Sequence, residues 1–166
     1  MTVLPKPLCA LILSAATATA SAQSSDANSN TVIGPNVMLA DGAEALMRGD
    51  WDRGIQLTQM GMTFAISQQD RASALANLCA GYVAIKKYQL ALEQCDKSIA
   101  LVNDNWRTWQ NRAAAHLGLG RIDESMSDIQ RGLQLNPDSD ALQKTLAIAR
   151  DQEKLQQERM RHLLES

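Results

Sequence analysis

WRTWQNRAAAHLGLGRIDESMSDIQRGLQLNP, residues 106–137, is the stretch on which the fold turns. Its apolar residues fall at helical spacing in two runs, one on each side of Gly120-Arg121-Ile122, and Pro137 closes it. Shifting the chain against itself repeats the arrangement: Leu75, Cys95 and Ile99 precede Trp109, Ile129 and Leu133 by 34 residues each. The break between runs recurs as Lys86-Lys87-Tyr88 and, earlier, as Gly49-Asp50-Trp51. That earlier spacing is 37, which places three inserted residues near Ser67 to Asp70. A period of this length built from two helical runs predicts stacked helix pairs, since one pair cannot bury its own apolar faces.

Outward from the repeat, residues 139–166 form one further helical segment. Ser139 or Asp140 can cap its start, and Leu142, Leu146 and Ala149 make an apolar stripe. After Arg150 it turns polar, with Lys154–Glu158 and Arg161–Glu165 at i, i+4 spacing. In the other direction, residues 23–36 (QSSDANSNTVIGPN) have no periodicity to bury and read as a flexible linker. Residues 1–22 read as a cleaved secretory signal: Lys6 is the basic start, Leu8 to Leu13 a short apolar run, and Ala20-Ser21-Ala22 the small-residue cleavage pattern. The mature chain is then expected to begin at Gln23, in the periplasm or secreted, and to have no membrane association.

The composition closes off several functions. A formal charge of -2 lacks the clustered basic excess that nucleic acid requires. Two histidines and three scattered cysteines give no zinc pattern, and no metal or cofactor is expected. His116 has no nucleophile or acid set beside it by the repeat, so no enzyme is expected.

The units resemble the tetratricopeptide repeat (TPR), whose pattern is W-x2-L-G-x2-Y, then A-x3-F, then P. The third unit reads Trp109, Arg112, Ala113, His116, then Ser125, Ile129, Pro137; the second reads Leu75, Leu78, Cys79, Tyr82, then Ala91, Cys95. The first is degenerate: Met38, Asp41, Gly42, Ala45, then Gly54 and Thr58. The resemblance implies an all-α, right-handed superhelical array of three helix-turn-helix units (about 35–68, 72–105 and 106–138) and a C-terminal capping helix over 139–166.

It also implies a concave binding face lined by the first helix of each unit. The positions are Leu39, Ala43, Leu46 and Met47; then Ala76, Asn77, Ala80, Val83 and Ala84; then Arg107, Gln110, Asn111, Ala114 and Leu117. Such a face suits an apolar peptide or helix of another protein. A carrier of an apolar small molecule is the alternative, and self-association or cover by the chain's own leader remains open. The carboxylate clamp of some family members is matched only at Asn77 and Arg107, so it is not expected. Cys79 and Cys95 sit at facing positions of the second unit. Two readings stand for them: a disulfide, or two small buried thiols.

Overall fold

The computed structural model describes residues 37–65 and 67–165; the signal read at residues 1–22 and the whole of the linker read at 23–36 lie outside them. Seven helices follow in order among these residues, with no strand. They are α1 (Val37–Met47), α2 (Trp51–Met62), α3 (Gln68–Ala84), α4 (Tyr88–Leu101), α5 (Trp106–Gly118), α6 (Ile122–Leu135) and α7 (Asp140–Glu165). The closest neighbours are α1 with α2, α3 with α4 and α5 with α6, and each pair stacks on the next. This is an all-α TPR array.

One turn chemistry is used three times. Gly49, Lys86 and Gly120 all take positive φ, at 80°, 60° and 72°. At each, two backbone N–H groups close the helix that has just ended. Lys86 and Lys87 donate to the Val83 and Tyr82 carbonyls, Gly49 and Asp50 to Leu46 and Ala45, and Gly120 and Arg121 to Leu117 and His116. These satisfy the last carbonyls of the helix and reverse the chain. Lys86 holds this left-handed geometry with a Cβ, which costs it roughly 1–2 kcal/mol relative to glycine.

The starts of α3, α5 and α7 are capped locally by side chains. Ser67 Oγ accepts from the Asp70 N–H, Asn105 Oδ1 from Arg107, and Ser139 Oγ from Leu142. The inserted residues of the second unit become helix. The first helix of that unit, α3, has 17 residues where α5 has 13. Its extra turn is anchored by Gln68, whose Nε2 donates to the Leu101 carbonyl at the end of α4.

Within the first pair the backbones nearly touch. A Cβ on Gly42 would lie 2.5 Å from Thr58 Oγ1 and 2.9 Å from the Thr58 nitrogen. Only glycine permits that approach.

Three buried clusters make the core, each drawn from three consecutive helices. Leu46, Ile55 and Leu78 join α1, α2 and α3, with Trp51 and Tyr82 against them. Cys79, Ala91, Leu92, Cys95 and Ala115 join α3, α4 and α5. Ala113, Leu117, Ile129 and Ala149 join α5, α6 and α7. Leu142 of α7 is fully buried and fills the space beside Gly132. The side of α7 that carries Gln143, Ala147, Arg150 and Lys154 is exposed, so α7 closes the stack with one face packed and the rest open.

Candidate functional site

The fourteen residues expected on the concave face separate into two groups. Met47 is 38% exposed, and Ala80, Val83, Ala84, Arg107 and Ala114 are half-buried. The others, Leu39, Ala43, Leu46, Ala76, Asn77, Gln110, Asn111 and Leu117, are buried. Their burial corrects the expectation that they line an open surface.

The first unit shows why. Leu39 and Leu46 reach across to α2, filling the spaces left beside Gly61 and Gly54. Those glycines turn two positions of α1 from groove lining into packing within the pair. What stays accessible includes a row of small residues, Ala80, Ala84 and Ala114, together with Met47, Val83 and Arg107. Burial holds the Arg107 guanidinium below its ordinary pKa.

Cys79 and Cys95 are joined in a disulfide, with S–S 2.04 Å and Cα–Cα 5.3 Å. Both are fully buried. The bond ties α3 to α4 in the middle unit, at the centre of its cluster. The Thr108 carbonyl oxygen of α5 lies 3.3 Å from the Cys95 sulfur.

A polar cluster not anticipated from the sequence spans α4, α5 and α6. Arg112 stands where the repeat usually carries leucine. Its Nε and Nη2 donate to the two carboxylate oxygens of Asp128 at 2.9 and 2.6 Å, and Nη1 donates to Asp96 at 2.8 Å. Asp128 is 5% exposed, Arg112 21% and Asp96 61%. The hydrogen bonds to Asp128 hold the guanidinium above its usual pKa, against the opposing effect of burial. The plane also stacks over Trp109, 4.7 Å from the ring centre. The misplaced arginine was the one available signal, because its partners are each sixteen residues away and leave no local spacing to read.

His116 completes the cluster, with Nε2 3.8 Å from Asp128 Oδ2. Burial pushes its pKa below the ordinary value, Asp128 opposes that shift, and Arg112 adds to it. The folded chain therefore binds this proton less readily than the unfolded one. The stability this contributes is whole above the unfolded pKa of about 6.5 and declines as pH falls below it. Replacing His116→Tyr, the residue type at the equivalent place in the second unit, is expected to flatten that decline. Urea midpoints at pH 7.5 and 5.5 for both chains check it: equal losses in the two would remove His116 from the pH response.

Among the described residues, no cluster of His, Cys, Asp or Glu could hold a metal ion, and no helix is long and apolar enough to cross a membrane.

No family model matches the chain. Over 111 residues it is 29% identical to sperm-associated antigen 1 of Mus musculus, covering 66% of this chain and 12% of that protein. Over 106 residues it is 30% identical to heat shock protein STI1 of Saccharomyces cerevisiae, covering 63% and 18%. It thus spans under a fifth of either relative's length. It is also similar in structure to the first TPR of Spaghetti (RPAP3), solved bound to the HSP90 peptide SRMEEVD. The TM-score there is 0.62 at 23% identity, over 69% of this chain and 89% of that one. With its three stacked helix pairs and closing helix, the chain has the fold of a tetratricopeptide-repeat array.

Proposed function

We propose that the chain is an exported interaction module that holds an apolar segment of another protein against the concave face. The accessible row of Ala80, Ala84 and Ala114 carries this reading, because small side chains on successive first helices leave room for an incoming backbone or helix. The structural neighbour solved with a peptide, SRMEEVD, supports a peptide ligand; the apolar character rests on the alanine row alone. Export rests on the reading of residues 1–22 as a signal.

Ala80 is the position at which to test it. Ala80→Arg sets a long charged side chain into the row from a half-buried site. It is expected to abolish capture of the partner by crosslinking from native envelope, while circular dichroism and the melting midpoint stay close to the parent. Loss of helicity in this variant would mean that Ala80 is a packing residue and that the face is misassigned.

A further inference from the structure

α7 carries a second stripe that its packing against the array does not use. Lys144, Ile148, Leu155 and Arg159 follow one another at spacings of four, seven and four residues. At about 100° per residue these four side chains lie within an arc of about 60°. The packed side of the same helix, with Leu142, Thr145 and Ala149, is a different one. Ile148 is 53% exposed and Leu155 55%. Lys144 and Arg159 are exposed, and neither joins an ion pair among the described residues. Ile148 also stands 34 residues after Ala114 and 68 after Ala80, so it holds the repeat position that those small residues hold in the second and third units.

We propose that this stripe docks an acidic amphipathic helix of a partner protein. Two apolar side chains seven residues apart meet Ile148 and Leu155, and carboxylates four residues outside them meet Lys144 and Arg159. The proposal rests on the reading of the chain as a protein-interaction module and adds the partner's charge and spacing to it.

The order of charges selects this occupant over a second copy of the chain. The stripe reads the same in both directions: cation, apolar, apolar, cation. An antiparallel pair of α7 helices that sets Ile148 on Leu155 therefore brings Lys144 onto Arg159 at both ends, and Asp151 falls opposite Gln152, which compensates nothing. A parallel pair in register sets each cation on its own twin. Both arrangements place like charges together, which disfavours them. An acidic helix converts the same two contacts into attractive pairs and, because the stripe is symmetric, does so in either direction.

The probe is a fluorescein-labelled, end-blocked 18-residue helical peptide carrying Glu-x3-Leu-x6-Leu-x3-Glu, titrated with the purified chain at low salt. A matched peptide with lysines at the glutamate positions is the control. The acidic peptide is expected to bind, and the Lys144→Glu/Arg159→Glu double variant to weaken it about tenfold and to prefer the lysine peptide, since reversal turns attraction into repulsion at both exposed pairs. Leu155→Ala is expected to weaken both. All these substitutions fall on exposed positions, and circular dichroism confirms that the fold is kept. Absence of binding, or equal binding of both peptides by the parent chain, overturns the proposal. Binding that is lost with Ala80→Arg but indifferent to the α7 variants also overturns it, and leaves the groove reading standing. Sedimentation showing a dimer that Leu155→Ala disperses overturns it in favour of a second copy.

Discussion

Arg112→Leu is expected to lower the free energy of unfolding by about 3–5 kcal/mol, the usual cost of leaving a buried charge without its partner. The substitution restores the residue that the repeat pattern favours, and on propensity and packing alone it should be harmless or better. The structure predicts the reverse, because Asp128 is 5% exposed and depends on the bidentate contact from Arg112. Asp96 contributes little to the loss, since it is mostly exposed and water replaces the guanidinium there. Adding Asp128→Ala to Arg112→Leu is expected to recover a large part of the stability, which a double-mutant cycle by urea denaturation measures. If Arg112→Leu lies within about 1 kcal/mol of the parent, water reaches Asp128 and the cluster is no more than a surface ion pair.

Reduction of the Cys79–Cys95 bond is expected to cost about 3 kcal/mol, the chain-entropy value for a closed loop of roughly fifteen residues. For a chain of this size that corresponds to a fall of roughly 10 °C in the melting midpoint. Comparing the same chain with and without reductant avoids the void that a smaller residue would leave at position 95. Both sulfurs are buried, so reductant reaches them only as the α3–α4 pair opens, and reduction should speed up with mild denaturant. Thiol counting on denatured, unreduced protein is the direct check. Free thiols at both positions would return Cys79 and Cys95 to the role of small apolar side chains.

The repeat was readable because it is written twice at full strength. Leu75 and Trp109, Cys95 and Ile129, and the breaks at Lys86 and Gly120 recur at one interval, and each unit supports the reading of the other. The facing of Cys79 and Cys95 followed from the same register. The groove was less legible, because a helix position shows its face only relative to what it packs on. Leu39 and Leu46 read as groove residues until Gly54 and Gly61 are seen to leave space for them on α2. Asn77, Gln110 and Asn111 are polar and look accessible in one dimension, yet all three are buried. The Arg112 cluster escaped for a further reason: side chains from three helices meet there, and only the superhelical stacking brings Asp96 and Asp128 to the same guanidinium.

The three clusters that share helices pairwise make this molecule behave like a short zipper, in which each tooth is held only by the teeth beside it. The covalent tie sits in the middle tooth, between α3 and α4. Fraying therefore starts at the two ends and works inward, with α1–α2 and α7 releasing while the centre stays shut. A partner that grips α7 would stiffen the loosest tooth, and its binding would be felt along the array as a loss of breathing.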